Sequence, residues 1–272
     1  MKISGITITH PEKIIFPQKE VTKKDMVSYY NLIASRMLPY LKNRPLTLQR
    51  FPDGISENGF FQKHSQDYYP DFIKRTTIEN EDGRAEAIMC NNKRTLIYLA
   101  NHGTVAFHVW SSPNNNLHRP DKIILDLDPS GNATFLKVKN AAMVLGKFLK
   151  EKNIDSKPIT SGKMGIHVVY PIKPSQDFDK VRQETREIGE QLAEKHPGLF
   201  TLEMRKNKRG DKIFFDYLRN SYGQTSICPF SLRPNPNVGV ATPLNWNELD
   251  KVKSGDQYNY SNIFKRLAAK GE

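Results

Sequence analysis

Apolar side chains recur at helical spacing in three segments of the chain. Before the first segment, Thr22 and Asp25 form the pattern of a capping box, and Pro39 disturbs the end. Asp177 precedes the third segment as a candidate N-cap. The apolar stripes are Met26, Tyr30, Ile33, Met37 and Leu41; Val138, Ala142, Leu145 and Leu149; and Val181, Ile188 and Leu192. We therefore predict three helices whose stripes face a core.

Short apolar or alternating runs predict strands around these helices. The runs are 44–51, 95–99, 105–110, 122–128, 158–161, 166–170 and 212–218. A polar loop that opens at Pro52 carries Phe60 and Phe61. Strands mixed with single helices predict an α/β (α+β) fold with a central mixed or antiparallel sheet. Because the chain has no repeat and no low-complexity linker, we predict that residues 1–272 form a single domain.

Charge narrows the class of partner. Lys and Arg outnumber Asp and Glu by 41 to 29, a formal charge of +12. The positive side chains cluster at Arg205, Lys206, Lys208, Arg209 and Lys212, and at Lys13, Lys19, Lys23 and Lys24. Such an excess predicts binding to a polyanion, with nucleic acid as the first candidate, since neutralised phosphates release their counterions. A generally basic surface would have the same composition.

The sequence argues against a membrane or secreted protein and against a zinc-binding protein. No apolar run approaches the roughly 20 residues that span a bilayer, and residues 1–8 lack the apolar core of a secretory signal. We therefore expect a cytoplasmic protein without a membrane partner. Cys90 and Cys228 are isolated, without a CxxC pair, so we predict reduced thiols and no zinc site.

The candidate chemistry begins with two carboxylates at the end of the run 122–128. Side chains alternate along a strand, so Asp126 and Asp128 point to one face and repel each other. A divalent cation would resolve this repulsion, and a solvated Asp-x-Asp-Pro turn is the alternative. Asp216, in the apolar run 212–218, also needs a cation or local hydrogen bonds if it is buried. Three carboxylates can hold two divalent ions for nucleotidyl transfer.

The segment 160–167 is a second candidate site. Two glycines in a tight turn, with Ser161, Lys163 and His167, would expose N–H groups and other donors to a phosphate. The same pattern also fits an ordinary hairpin turn with an incidental histidine. Arg233 offers a forked grip on a triphosphate, although a surface arginine in a loop fits equally well.

Taken in order, these motifs resemble the polymerase domain of bacterial DNA ligase D, in the archaeo-eukaryotic primase superfamily. The motifs are Asp-Leu-Asp-Pro at 126–129, Thr-Ser-Gly at 160–162 with Ile-His at 166–167, Phe-Asp-Tyr at 215–217, Pro-Phe-Ser-Leu-Arg at 229–233, and the segments 13–17, 44–47, 50–54 and 60–61. The resemblance spans about residues 7–249. It implies a primase-polymerase-like fold with helices around the sheet and a catalytic cleft between two interleaved lobes.

The resemblance also implies a function and the residues that carry it. The expected function is template-directed extension of a 3′ hydroxyl at DNA gaps or broken ends with a 5′ phosphate, in non-homologous end joining, with ribonucleotides and manganese favoured. The matching positions are Asp126, Asp128 and Asp216 for two Mn²⁺ or Mg²⁺ ions; Arg50, His108, Ser161, Lys163, His167 and Arg233 for the nucleotide; Lys13 and Lys23 for the 5′ phosphate; and Phe60 and Phe61 for stacking on the template. The aromatic pair could instead be buried under its loop.

Three positions depart from the family pattern. The lysine of the turn, Lys163, is displaced by one position, Arg219 stands where the family often has Gln, and Gln49 where it often has Lys. We expect the implied partners to be double-stranded DNA with gaps, overhangs or breaks, nucleoside triphosphates, and a separately encoded ligase and Ku-like end-binding protein, at the prokaryotic nucleoid.

Other functions remain open from sequence alone. A primase that starts chains without a primer belongs to the same superfamily. A non-catalytic protein that bridges DNA ends would keep the basic patches, but it would not need three carboxylates. A metal-dependent phosphoesterase would use the carboxylates, but it would not need the 161–167 turn and Arg233.

Overall fold

A computed structural model describes residues 1–80 and 83–271 of the protein. The helices are α1 Lys23–Leu41, α2 Lys93–Asn101, α3 Phe135–Glu151, α4 Phe178–Lys195, α5 Trp246–Leu249 and α6 Ile263–Ala269. The strands are β1 Lys2–Ile3, β2 Ile6–Thr7, β3 Ile14–Phe16, β4 Val21–Thr22, β5 Leu46–Arg50, β6 Phe60–Gln62, β7 Arg75–Asn80, β8 Gly83–Ile88, β9 Thr104–Trp110, β10 Lys122–Pro129, β11 Lys157–Thr160, β12 Ile166–Pro171, β13 Phe200–Thr201, β14 Ile213–Asp216, β15 Thr225–Ile227 and β16 Thr242–Pro243.

Most strands belong to two six-stranded sheets. Sheet I has the order β13-β14-β10-β12-β11-β16, and only its β13–β14 pair is parallel. Sheet II has the order β15-β9-β5-β8-β7, with β6 also paired to β5, and it is antiparallel. The fold is therefore the mixed α/β (α+β) class that the sequence predicts, with its strands divided between two sheets.

The chain passes between the two sheets more than once. The core against sheet II joins Tyr30 near the N-terminus to Val240 and Leu267 near the C-terminus. The core against sheet I is formed by residues between them, such as Leu125 and Phe215. The two lobes are thus interleaved, as expected, and neither lobe is a continuous piece of sequence.

The three predicted helices are present as α1, α3 and α4, and side-chain caps explain where α1 and α4 begin. Thr22 and Asp25 form the capping box of α1, with Asp25 N–H donating to Thr22 Oγ1 at 3.2 Å. Asp177 caps α4 by accepting from the N–H of Lys180 at 2.9 Å. Helix α1 continues through Pro39 to Leu41, because Pro39 lies in the last turn and leaves only the carbonyl of exposed Ser35 without its helical donor.

Two local predictions are wrong. Residues 95–99 are helical, within α2, because Asn92 caps the segment by accepting from the N–H of Thr95 at 2.9 Å. A short apolar run has no period that separates a strand from a buried helix. The loop that carries Phe60 and Phe61 contains a strand, β6, which pairs with β5.

Candidate active site

The three predicted carboxylates meet on two neighbouring strands of sheet I, β10 and β14. Strand β10 lies between β12 and β14, and its residues are buried up to the end that carries Asp128. Asp126 stands opposite Asp216 on β14 and opposite His167 on β12. Asp128 lies two residues further along β10, on the same face as Asp126. The strand register therefore places these four side chains on one face of the sheet.

Asn220 holds the segment after β14 against β10. Its side-chain amide accepts from the N–H of Ile124 at 2.9 Å and donates to the carbonyl of Ile124 at 2.7 Å. Asn220 is buried, and its amide continues the strand pairing where the β14 backbone turns away. The preceding residue, Arg219, is thereby directed at the carboxylates.

Arg219 binds two of the three carboxylates. Its Nε atom lies 3.0 Å from Asp126 Oδ2, and its Nη2 atom lies 3.1 Å from Asp216 Oδ2. Its Nη1 atom donates to the carbonyl of Thr225, on sheet II, at 3.2 Å. Burial lowers the pKa of Arg219, but the carboxylates of Asp126 and Asp216 outweigh burial and raise the pKa overall. The guanidinium therefore stays charged.

The charges at the centre are strongly coupled. Burial raises the pKa of Asp126, against the opposing effect of Arg219. The charge of Asp126, followed by burial, raises the pKa of Asp128 to about 6. Burial lowers the pKa of His167 to about 4, so its ring is neutral at pH 7. Its Nε2 atom lies 3.3 Å from Asp126 Oδ1 without hydrogen-bond geometry.

The turn between β11 and β12 forms one wall of the cleft. Gly162 has a φ of +71°, and a Cβ atom there would approach Arg233 Cγ to 2.6 Å, so glycine allows the turn to pack against Arg233. A Cβ atom on Gly165 would lie 3.0 Å from Asp128 Oδ1, so glycine also leaves space beside that carboxylate. Lys163, although displaced by one position, still lines the cleft.

One expectation for this turn needs correction. The N–H groups of Lys163 and Gly165 donate to Ser161 Oγ, at 3.3 Å and 3.1 Å, and therefore do not face a ligand. Since Ser161 Oγ accepts both bonds, its own hydrogen is left to donate. The hydroxyl of Ser161, rather than these two backbone groups, is the donor that the turn offers.

Sheet II forms the opposite wall. His108 on β9, Thr225 to Ile227 on β15, and Arg233 line the same cleft as Asp126 and Asp128, and its volume is about 510 Å³. His108 Nε2 and Arg233 Nε are buried and have no hydrogen-bond partner. Burial lowers the pKa of His108 well below its usual range, and burial lowers the pKa of Arg233 to about 10. Buried polar atoms without partners are costly, so both atoms indicate a ligand that would form hydrogen bonds with them.

The carboxylate oxygens of Asp126, Asp128 and Asp216 are chemically suited to a divalent cation, but Arg219 already binds two of these oxygens. Carboxylate oxygens are the ligands that Mg²⁺ and Mn²⁺ prefer, and Asp126 Oδ1 is buried without a hydrogen bond. Within residues 1–80 and 83–271, no three His, Cys, Asp or Glu side chains converge closely enough to hold a cation. Arg219 engages one oxygen of Asp126 and one of Asp216.

The predicted DNA contacts lie outside this cleft. Phe60 and Phe61 are 47% and 57% exposed, so they are not buried under their loop. The ring of Phe61 meets the ring of His108 edge-on, with centroids 5.7 Å apart, which puts the aromatic pair beside the cleft. Arg50, expected at the nucleotide, does not line the cleft. It donates to the carbonyl of His102 at 2.9 Å and lies 5.3 Å from the centroid of Phe60.

Lys13 and Lys23 lie close to each other, and neither lines the cleft. The Nζ atom of Lys13 is 2.6 Å from Asp53 Oδ1, and that of Lys23 is 2.8 Å from Thr9 Oγ1. Burial and the nearby charge of Lys13 lower the pKa of Lys23 to about 8. A bound anion between the two amines would relieve this repulsion.

Sequence reasoning missed other residues of the cleft. Lys206 and Arg209 line it near Asp128, although only their charge had been noted. Arg209 is buried, donates to the carbonyl of Glu203 at 2.7 Å and lies 3.4 Å from the centroid of Phe214. The position of Arg209 in a basic run does not indicate that its guanidinium packs on Phe214 of the following strand, β14.

Comparison with known proteins agrees with the resemblance seen in the sequence. Residues 22–272 match the family model of the LigD primase-polymerase domain. The chain is 35% identical to the bifunctional non-homologous end joining protein LigD of Bacillus subtilis, over 98% of this chain and 43% of that protein. It is 30% identical to the multifunctional non-homologous end joining protein LigD of Pseudomonas aeruginosa, over 97% of this chain and 31% of that protein.

A solved structure agrees in fold. The polymerase domain from Mycobacterium tuberculosis ligase D, in complex with DNA, superposes with a TM-score of 0.91 at 26% identity, over 98% of this chain and 96% of that one. The fold is that of a primase-polymerase domain. The chain belongs to the LigD primase-polymerase domain family, and it spans less than half the length of these two LigD relatives. No helix within the described residues is long and apolar enough to cross a membrane.

Proposed function

We propose that this protein is a template-directed nucleotidyltransferase of non-homologous end joining. It extends a 3′ hydroxyl at gaps or broken ends that carry a 5′ phosphate. The observation that carries the proposal is the cleft between the two sheets, where Asp126 and Asp128 line the same cavity as buried donors without partners, and Asp216 stands opposite Asp126 on the neighbouring strand. A cleft that combines acidic and basic groups suits a substrate that brings both phosphates and cations.

The basic side of the cleft would bind the incoming nucleoside triphosphate. Arg233 is held by the Gly162 turn, and its forked guanidinium suits phosphate oxygens. The free hydrogen of Ser161 and the amine of Lys163 would add donors from the same turn. His108 and His167 are kept neutral by burial, so each can donate through one ring nitrogen without adding charge.

The acidic side would hold the divalent cations, Mn²⁺ or Mg²⁺. Asp126, Asp128 and Asp216 are the candidate ligands, because their oxygens are hard donors on one face of sheet I. When bound, two such ions would activate the 3′ hydroxyl and stabilise the leaving pyrophosphate. The contribution of the protein is positioning: the strand register fixes where the carboxylates stand, and the Asn220 amide fixes the edge of β14.

The DNA would lie along the aromatic and basic features outside the cleft. The exposed faces of Phe60 and Phe61 suit stacking on template bases beside the cleft. Arg50, adjacent to Phe60, would add charge to this surface rather than bind the nucleotide. Lys13 and Lys23 would bind the 5′ phosphate of the downstream strand. The DNA in the related ligase D polymerase-domain structure supports a DNA substrate here.

Several finer points are part of this proposal. We expect a preference for ribonucleotides, activity with manganese, and separately encoded partners, a DNA ligase and a Ku-like end-binding protein. The LigD names of the relatives support an end-joining setting for this chain.

One assay tests the proposal. The protein is incubated with a gapped, 5′-phosphorylated duplex, with each ribonucleotide and deoxyribonucleotide in turn, and with Mg²⁺ or Mn²⁺. We expect templated addition of the complementary nucleotide to the 3′ hydroxyl. Synthesis that needs no primer would instead identify a primase. Tight DNA binding without addition under any condition would identify a non-catalytic bridging protein and overturn the proposal.

A further inference from the structure

Arg219 and a divalent cation would need the same oxygens. The guanidinium binds Oδ2 of Asp126 and Oδ2 of Asp216, and its third nitrogen is fixed by the carbonyl of Thr225. The side chains of Asp126 and Asp216 are only 5% and 15% exposed, against 27% for Arg219. Water therefore has little access to the carboxylates, and Arg219 supplies most of their compensation.

This arrangement has a clear electrostatic role without a cation. The buried carboxylate of Asp126 and the partly buried carboxylate of Asp216 stand opposite each other on neighbouring strands and repel each other, and leaving such charges uncompensated is costly. A forked guanidinium that reaches both of them removes the repulsion with two charge-assisted hydrogen bonds. A divalent cation placed between the same carboxylates would meet the positive charge of Arg219 and would have to displace it.

Part of the donor set is untouched by Arg219. Asp126 Oδ1 is buried and has no hydrogen bond, and no contact joins Arg219 to an oxygen of Asp128 in the described residues. A cation could thus bind first at Asp126 Oδ1 and Asp128 while Arg219 stays in place. Asp216 Oδ1 accepts from the N–H of Leu218 at 3.1 Å, so a further cation that binds Oδ2 of Asp216 would require Arg219 to leave that oxygen.

We propose that Arg219 is a built-in counterion that competes with divalent metal for Asp126 and Asp216, and so sets the metal concentration at which the centre fills. The inference rests on the proposed function, because it assumes that these carboxylates bind metal. Arg219 acts here as a positioning residue that holds the carboxylates in the metal-free protein. Loading would then have two phases, a tighter one at Asp126 and Asp128 and a weaker one opposed by Arg219.

Direct Mn²⁺ binding tests this inference without an activity assay. Isothermal titration calorimetry, with free Mn²⁺ followed in parallel by electron paramagnetic resonance, would compare the wild type with Arg219→Gln. We expect the weaker phase to tighten by roughly tenfold or more, because a buried charge pair no longer has to be broken. Lys206→Gln is the matched control, since it removes one positive charge from the same cleft without a contact to Asp126 or Asp216.

Thermal unfolding gives a second, independent readout. In a chelator, Arg219→Gln should unfold at a lower temperature than the wild type, since Asp126 and Asp216 lose their counterion. Added Mn²⁺ should then stabilise this variant more than it stabilises the wild type. If Arg219→Gln does not fold, Arg219→Lys replaces it, and we expect tighter binding than in the wild type because a single amine cannot bridge both carboxylates.

The outcomes separate this inference from the proposed function. Equal tightening in Arg219→Gln and Lys206→Gln would show a general charge effect and overturn the counterion role, as would no tightening in Arg219→Gln. If one of these results overturns the counterion role but Asp128→Asn abolishes Mn²⁺ binding, the proposed metal centre is still supported. If the wild type shows no Mn²⁺ binding that depends on Asp128, the metal centre fails and this inference fails with it.

Discussion

The charge of Asp126 raises the pKa of Asp128 to about 6, because the two carboxylates lie two residues apart on one face of β10. In the folded protein Asp128 holds a proton at a pH where the unfolded chain has released it. The carboxylate of Asp128 therefore destabilises the metal-free fold above about pH 6, and this penalty disappears as the pH falls toward 4. A bound cation would reverse the penalty.

Asp128→Asn should therefore stabilise the metal-free protein near pH 8. We expect a gain of about 1–3 kcal/mol in the free energy of unfolding, since one pKa unit corresponds to about 1.4 kcal/mol. The gain should shrink toward pH 4.5, where Asp128 is protonated in the wild type. Denaturant unfolding in a chelator at both pH values measures it, with the exposed Asp71→Asn as the control. A gain of equal size at both pH values would contradict the coupling between Asp126 and Asp128.

Lys13→Ala with Lys23→Ala should remove the preference for a 5′ phosphate. Burial and the nearby charge of Lys13 lower the pKa of Lys23, and a bound phosphate would offset the repulsion between the two amines. Affinity for gapped DNA is measured by fluorescence anisotropy with and without the 5′ phosphate. Lys147→Ala with Lys150→Ala removes the same charge from the exposed face of α3. An equal loss on phosphorylated and non-phosphorylated gaps would argue against the assignment.

The same preference should depend on pH. Burial lowers the pKa of Lys23 to about 8, so the free protein loses this positive charge as the pH rises from 7 to 9. A phosphate binds the protonated amine, and the preference for phosphorylated gaps should fall over this interval. The Lys23→Ala variant should show no such step. A wild-type preference that is constant from pH 7 to 9 would exclude Lys23 as the titrating contact.

Phe60→Ala and Phe61→Ala should each weaken binding of a single-stranded template overhang. Stacking of one base on an aromatic side chain contributes about 1–3 kcal/mol. Because both rings are about half exposed, the free energy of unfolding should change little. Leu136→Ala, on the exposed face of α3, is the control for loss of an exposed apolar side chain. Unchanged affinity for overhangs would remove these residues from the template surface.

The sequence predicted the acidic face of the site because that face depends on local rules. Side-chain alternation puts Asp126 and Asp128 on one face, and the apolar run before Asp216 marks a neighbouring buried strand. Family resemblance implied that the three carboxylates act together, but the pairing of their strands follows from no local rule and was not predicted. The register then places Asp126 opposite both Asp216 and His167.

Several side-chain contacts, some between distant segments and some local, could not be predicted from the sequence. The Asn220 amide replaces backbone pairing with Ile124, and this contact directs Arg219 at the carboxylates, although the sequence marked Arg219 only as a departure from the family pattern. The 161–165 turn appeared to expose its N–H groups, yet Ser161 Oγ binds two of them. The apolar run 95–99 is helical because Asn92 caps α2. From the sequence pattern alone, an asparagine that caps a helix cannot be distinguished from an asparagine in a loop.

The central claim is that Asp126, Asp128 and Asp216 form the catalytic centre of nucleotide addition. Its most direct test is Asp216→Ala, assayed for binding and for extension on the same gapped, 5′-phosphorylated duplex. We expect DNA affinity close to that of the wild type, because Asp216 stands opposite Asp126 on sheet I, whereas the proposed DNA contacts Phe60 and Phe61 belong to sheet II and Lys13 and Lys23 bind Asp53 and Thr9. Extension should fall by roughly 10²- to 10³-fold, the scale of losing a group that stabilises charge in the transition state. Full extension by Asp216→Ala would contradict the account.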